Sequence, residues 1–273
     1  MMSLAIAQSP NLLAQSPMSD LPELLAIQSM MVASAVVFFR VAAVFALVPG
    51  FGQTLIPMRL RLGLAMAVTL VLFPLIDTAA HNPITLSDWL NLFFSETLIG
   101  LFIGLLLRAL VFALQTAASI AAQSTSLAQI FGQTLEDPMP AIGNLFLIGA
   151  LALLMILGFH VSLIQALAHS YGVIPLGQPI ASGALLTSGV TELSDAFYMA
   201  FGLAAPFWLG GLLYNIGLGA INRAMPQLMV AFIGAPALTL LGLFLILTAL
   251  PLILKTWSDA VFSLLLEIGT HSL

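Results

Sequence analysis

The fold is decided by the stretch Asp88–Gln129, DWLNLFFSETLIGLFIGLLLRALVFALQTAASIAAQSTSLAQ, which contains no proline and no cluster of turn residues. An uninterrupted helix of this length would extend about 60 Å, which is about twice the hydrocarbon thickness of a bilayer. The stretch therefore predicts one of two arrangements. Either the helix is broken at Gly100 or Gly104, or much of it lies outside lipid and packs against other protein.

The composition identifies the class of protein. Of 273 residues, 61% are hydrophobic and 6% are charged, whereas soluble domains carry roughly 25% charged residues. Six Lys/Arg and eleven Asp/Glu cannot cover the surface of a soluble fold of this size. The composition therefore predicts an integral membrane protein. The absence of a basic stripe excludes a nucleic-acid surface, and the absence of cysteine excludes disulfides and thiolate metal sites.

The apolar stretches predict helices and not strands, since no alternating polar and apolar segments occur. The predicted fold class is an all-α integral membrane protein with about six long hydrophobic helices, several of them broken by glycine or proline. A shorter amphipathic piece is predicted to end the chain at 257–268. The predicted membrane stretches are 27–48, 60–76, 89–130, 141–171, 190–221 and 227–254.

The basic residues next to the first stretch give a weak indication of topology. Arg59 and Arg61 follow this stretch, while the next connection, Asp77–Asp88, has no Lys or Arg. Positive residues favour the cytoplasmic side of a membrane. This places the N-terminus outside and the connection Gly50–Leu60 in the cytoplasm.

The candidate intramembrane charges are Arg40 in the first predicted stretch and Glu96 and Arg108 in the third. An arginine at mid-membrane costs about 2.5–3.5 kcal/mol on insertion scales, so each should face protein or water. Glu96 and Arg108 are separated by about 18 Å along a straight helix and cannot pair with each other. Each is predicted to pair with a neighbouring helix or subunit. A proton relay is the alternative, although relays normally contain several acids at bundle depth.

A polar stripe follows these charges along the same long stretch. Its members recur at steps of three or four residues, so they share one helix face: Gln115, Ser119, Gln123, Ser126, Gln129 and Gln133. One interpretation is hydrogen bonding between helices, and the other is a water-facing surface. Six polar residues in register favour the water-facing surface. The stripe leads into Phe131, Gly132, Glu136, Asp137 and Pro138, a pattern typical of a loop.

Catalysis and metal binding have no support in the sequence. His160 and His169 have no Asp, Glu or Cys near them, whereas a metal site needs several convergent ligands. The motifs of metalloproteases, α/β-hydrolases and P-loop proteins are missing. We therefore predict no cofactor and no enzymatic activity.

The stretch Ala204–Leu243 resembles the C-terminal signature of the FliR/SctT family, the membrane subunits of the flagellar and injectisome type III export gate. The resemblance includes an Arg-x-x-Pro-Gln turn and a Gly-x-Pro helix, represented here by Arg223, Pro226, Gln227, Gly234 and Pro236. Family members usually follow Pro-Gln with Met-Asn-Val-Phe, whereas this chain has Leu-Met-Val-Ala at 228–231.

Further matches extend the resemblance over about residues 27–255. Glu96 with Gly100 and Gly104 is similar to the G-x-x-x-G helix of the family, and Asp137-Pro138 to the end of its central loop. The resemblance implies subunit-interface or structural roles for a set of residues that the pattern matches or that carry the intramembrane charges: Arg40, Glu96, Gly100, Gly104, Arg108, Arg223, Pro226, Gln227, Gly234 and Pro236.

The resemblance also implies an organisation and a function. A lead-in (1–24) precedes a pore-ring-like part (25–189), which is fused to a C-terminal helical hairpin with an amphipathic tail (190–273). The loop at about 123–140 would plug a channel for unfolded export substrates in the bacterial inner membrane, within the flagellar basal body. The implied partners are P-type and Q-type gate subunits (FliP and FliQ) and FlhB-type and FlhA-type export components. Energy would come from the proton-motive force and a separate ATPase.

Three alternatives remain open at this point. An injectisome subunit is the nearest, because the motifs do not separate the two export systems. A secondary transporter would explain the intramembrane charges, but the chain has no convincing inverted repeat. An intramembrane hydrolase or acyltransferase is the third, and it lacks its motifs.

Overall fold

The computed structural model describes residues 21–50, 56–76, 85–125, 141–177, 182–224 and 230–270. Within these ranges the chain forms seven α-helices and one short 3₁₀ turn at Phe73–Leu75. The helices are α1 (Leu21–Leu47), α2 (Met58–Leu72), α3 (Leu86–Thr125), α4 (Ala141–Ile156), α5 (Phe159–Val173), α6 (Ser182–Ala224) and α7 (Val230–Thr270). The described residues are almost entirely helical and contain no strand, which confirms the predicted all-α fold class.

Five of these helices are long and apolar enough to cross a membrane, or six spans if the bent pair α4–α5 counts as one. This agrees with the prediction of about six. Every backbone polar group must be satisfied inside lipid, and a helix satisfies its own within the segment.

Helix α3 is continuous over 40 residues, so the predicted alternative of a break at Gly100 or Gly104 is wrong. Leucine, alanine and phenylalanine dominate the helix, and its two central glycines face close neighbours that hold the backbone in place. The structure therefore requires the other alternative, a helix of about 60 Å that extends beyond the thickness of a bilayer.

Helices α1 and α3 run parallel, and their backbones approach closely at Gly100 and Gly104, where α3 has no side chain. A Cβ atom placed on Gly100 would overlap the carbonyl oxygen of Arg40 and lie 2.8 Å from the Cβ of Ala43. One turn later, a Cβ on Gly104 would lie 2.9 Å from that of Leu47, where α1 ends. Helix α3 therefore continues about 32 Å past the end of α1.

Beyond α1, α3 packs against α4, α6 and α7. Four alanines on α3 are fully or almost fully buried here: Ala117, Ala118, Ala121 and Ala122. The indole nitrogen of Trp257 in α7 donates a hydrogen bond to the carbonyl oxygen of Leu110, 2.8 Å away. Helix α6 runs parallel to α3, because Gly189 contacts Phe102 and Gly211 contacts Ser124.

Of the expected breaks at glycine and proline, the structure shows one at Gly158 and one at Pro74, which lies in the 3₁₀ turn that ends α2. Helices α4 and α5 meet at 68°, and Gly158 between them has φ +79, a left-handed conformation that glycine adopts without steric cost. By contrast, Pro206 lies inside the continuous α6, and Pro236 and Pro251 lie inside the continuous α7.

The amphipathic piece at 257–268 is not a separate element, as the sequence suggested, but the last turns of α7. Its buried residues recur at helical spacing: Trp257, Val261, Leu264, Leu265 and Ile268. They pack against α5 and α3, and this contact keeps the helix in one piece.

Replacing Gly100 by Ala should destabilise the protein, because the new methyl group would overlap the backbone of α1 at Arg40. Overpacking of this kind costs about 1–3 kcal/mol. Thermal unfolding of the purified protein in detergent measures the effect. Gly63→Ala is the control, since a Cβ there meets nothing within 4 Å. Equal unfolding temperatures for the two variants would contradict the close packing of α1 on α3.

Candidate functional site

A fully buried ion pair joins α1 to α3. The Nε atom of Arg40 donates to the Oε2 atom of Glu96 at 2.7 Å, and both side chains have 0% exposure. The two residues come from two different apolar stretches, separated by 56 positions in the chain. Their contact lies one helical turn before Gly100, the residue that allows α1 and α3 to approach.

The end of α5 and the segment after it complete the surroundings of the pair. Nη1 of Arg40 donates to the hydroxyl oxygen of Ser170 at 3.2 Å, and Nη2 donates to the carbonyl oxygen of Ile174 at 3.1 Å. The second carboxylate oxygen of Glu96 accepts a hydrogen bond from the backbone N–H of Gly177 at 3.1 Å. Three separate groups thus converge on the pair.

The local sequence explains why α5 presents these groups. Ser170, Tyr171 and Ile174 occupy the last turn of α5 and its C-cap, where backbone carbonyls lack intrahelical partners and the helix dipole favours a cation. The guanidinium carbon of Arg40 lies 3.8 Å from the centroid of the Tyr171 ring, at cation–π distance. Gly177 adopts φ +68, which permits the turn that aims its N–H at Glu96.

Both members of the ion pair are hydrogen-bonded within the chain and closed to solvent. Each nitrogen of the guanidinium has an acceptor, and each oxygen of the carboxylate has a donor. A proton relay needs further acids at depth, and Glu96 is the one buried carboxylate in the described part of the chain. The geometry therefore suits a structural connection between helices and gives no support to the relay alternative.

The polar stripe is described over its first three members. Gln115 and Ser119 are half-buried on α3, and Gln123 is exposed. The hydroxyl of Ser119 donates to the carbonyl of Thr116 at 2.8 Å. The remaining predicted pore and plug residues lie outside the described residues: Ser126, Gln129, Phe131, Gly132, Gln133, Glu136, Asp137 and Pro138.

Near the end of α3, a cavity of about 650 Å³ opens between α3, α6 and α7. Its polar lining comes from Gln123 and Ser124 on α3 and from Tyr214 and Asn215 on α6, with Trp208 beside them. Gln123, the last described member of the stripe, therefore borders a cavity of mixed polar and apolar lining and not a packed core.

The other predicted residues are placed separately from the ion pair. Arg108 is half-buried, 5.1 Å from the Phe112 ring centroid. Arg223 is exposed in the last turn of α6. Gly234 is buried against the Tyr214 hydroxyl, Pro236 is exposed near the start of α7, and Pro226 and Gln227 lie outside the described residues.

Sequence reasoning assigned no role to Ser170, Tyr171, Gly177 or Trp257. Serine, tyrosine and glycine near a helix end are common, so nothing in the local pattern indicates a contact with a distant charge. A detectable signal was the need of Arg40 for several acceptors in an apolar environment, which one glutamate cannot supply alone.

Replacing Glu96 by Ala should destabilise the protein by about 3–5 kcal/mol, because the buried Arg40 guanidinium would lose its counter-charge. The double variant Arg40→Met/Glu96→Leu should recover most of this loss, since an apolar pair of similar volume needs no counter-charge. Chemical unfolding in detergent measures both. Glu267→Gln is the control, because Glu267 is exposed on α7. A double variant as unstable as Glu96→Ala alone would contradict the pairing.

Comparison with known proteins gives the family. The family model described as "Bacterial export proteins, family 1" matches residues 31–264. The flagellar biosynthetic protein FliR of Caulobacter vibrioides is 32% identical over 235 residues, which cover 85% of this chain and 94% of that protein. FliR of Aquifex aeolicus is 31% identical over 228 residues, which cover 81% of this chain and 86% of that protein.

A virulence-type protein is also similar. The Yop proteins translocation protein T of Yersinia pestis is 25% identical over 202 residues, which cover 72% of this chain and 77% of that protein. The family model covers all of α3 and the part of α1 that carries Arg40. The chain therefore belongs to the family of bacterial export proteins, family 1.

Proposed function

We propose that this chain is a structural and gating subunit of the flagellar type III protein export gate in the bacterial inner membrane, as part of the flagellar basal body. The observation that carries the proposal is the 32% identity to a flagellar biosynthetic protein over nearly the whole of both chains. The flagellar system is favoured over the injectisome, because identity to the Yersinia translocation protein is lower, at 25%.

The geometry of α3 supports a role in a channel. The helix is anchored to α1 by the ion pair and extends past it by about 32 Å. Beyond this point, the side of α3 that carries the stripe is polar at Gln115, Ser119 and Gln123, directly before the segment 126–140. We propose that this face borders the water-filled path of the substrate, and that the segment 123–140 plugs it when no substrate is present.

The proposed organisation follows the family. A pore-ring-like part at 25–189 follows the lead-in 1–24 and joins a C-terminal part at 190–273, with α6 running continuously across the boundary. The partners are P-type and Q-type gate subunits (FliP and FliQ) and FlhB-type and FlhA-type components. The substrates are unfolded flagellar proteins. In this role the chain needs no catalytic site, since the energy comes from other components.

Deleting residues 129–136 should make the membrane permeable to small solutes without preventing assembly of the gate. The deletion removes only residues of the proposed plug and none of the residues of the described helices. Solute uptake by cells that carry the assembled gate measures the effect.

The control is Glu267→Gln, which changes an exposed residue on α7 outside the proposed plug. Unchanged permeability in a gate that still contains its other subunits would refute the plug. Purification of the wild-type chain without any other membrane protein would instead refute the export-gate assignment, and transport of a small solute by the reconstituted chain would indicate a secondary transporter.

A further inference from the structure

One face of α3 has no neighbour among the described helices. Helix α1 covers the side at Gly100 and Gly104, α6 covers the side at Phe102, and α7 covers the side at Leu110. The remaining side presents large apolar residues at steps of three or four positions: Leu90, Phe94, Leu98, Leu101, Leu105 and Phe112. We call this surface the free face of α3.

Arg108 belongs to the same row, between Leu105 and Phe112. These two neighbours are 55% and 48% exposed, so the guanidinium lies within apolar surface and not at its edge. Arg108 itself is half-buried, with the Phe112 ring 5.1 Å from its guanidinium carbon. The described residues place no carboxylate at ion-pair distance from it, whereas Arg40 has Glu96.

The positive charge of Arg108 limits which molecules can pack against the free face of α3. An arginine within an apolar membrane surface costs free energy unless it faces protein or water. Its planar guanidinium group can form two parallel hydrogen bonds with a carboxylate. A straight row of side chains at helical spacing packs best against another helix. We infer that the free face of α3 is a docking surface for a transmembrane helix of another gate subunit, and that this helix presents an Asp or Glu to Arg108.

This inference rests on the proposed assembly with other membrane subunits, and it adds the place and the chemistry of one contact. It differs from the role of Arg40, whose three guanidinium nitrogens each donate a hydrogen bond within the chain. The two arginines therefore have different roles. Arg40 joins helices of one subunit, and Arg108 joins one subunit to the next.

The test is co-purification from native membranes with the full-length, affinity-tagged chain and three variants. Arg108→Gln should lower the amount of retained membrane subunits at least about tenfold, because the carboxylate of the partner helix would be left buried without its counter-charge. Arg108→Lys keeps the charge and should retain them within about threefold. Lys255→Gln should behave as wild type.

Lys255 is a matched control. It is an exposed basic residue on α7, two positions before Trp257, whose indole contacts α3 at Leu110, and so it lies at nearly the same level as Arg108. Equal loss of partners in Arg108→Gln and Lys255→Gln would overturn the inference. Retention at the wild-type level in Arg108→Gln would also overturn it, and would indicate that the guanidinium binds lipid headgroups.

The stability of the isolated chain separates docking from folding. Arg108→Gln should leave the unfolding temperature of the purified subunit unchanged or higher, because the contact that it removes is absent there. A loss of stability as large as that of Glu96→Ala would exceed what the contact with the Phe112 ring can contribute, would place the carboxylate within the chain and would overturn the inference. If the wild-type chain retains no membrane subunit at all, the proposed function fails together with this contact.

Crosslinking can identify the docked helix. The chain has no cysteine, so Leu105→Cys carries the single thiol and can be labelled with a photo-crosslinker. We expect an adduct with a membrane subunit that is lost when Arg108→Gln is added. Adducts with lipid alone would overturn the inference.

Discussion

The burial of the Arg40 guanidinium constrains most of the first half of the chain. Moving such a group out of water costs several kcal/mol unless its donors find acceptors of good geometry. Here the acceptors come from α3 and from both the last turn and the C-cap of α5, so three segments must be correctly placed together. Close approach of α1 and α3 is part of the same requirement, and the missing side chain at Gly100 makes it possible.

The two halves of α3 are held by different physical means. Up to Gly104 the helix is joined to α1 by a charge pair and by glycines that remove steric bulk. Beyond this point small alanines and the indole of Trp257 hold it to its neighbours. One rigid element thus connects an electrostatically fixed region to a region whose outer face becomes polar. This is a suitable arrangement for a subunit that must be anchored at one end and border water at the other.

Composition was sufficient to predict the membrane class and the helical fold, because a lipid environment leaves an apolar chain few other options. The partners of the buried charges were not predictable. Arg40 and Glu96 are 56 positions apart, and the sequence indicated only that each needed a partner. Their convergence depends on the packing of whole helices, which no local pattern encodes.

The helix breaks show a similar limit. Breaks were expected at glycine or proline in general, but Pro206 and Pro251 lie within continuous helices, where neighbouring helices and local adjustments can satisfy the freed backbone groups. The break at Gly158 was hidden within a long apolar stretch, where glycine is common. The polar stripe was predicted as one face of a helix, and its three described members do lie on one side of α3. The roles proposed for the residues beyond Thr125 stay predictions.

The left-handed conformation of Gly158 has a mechanical consequence. Ser170 lies twelve residues further along α5, which corresponds to a lever of about 18 Å. A change of only 10° in the direction of α5 at its start would displace Ser170 by about 3 Å, the full length of its hydrogen bond to Arg40. A glycine twelve residues away therefore sets the alignment of a buried ionic contact that it never touches.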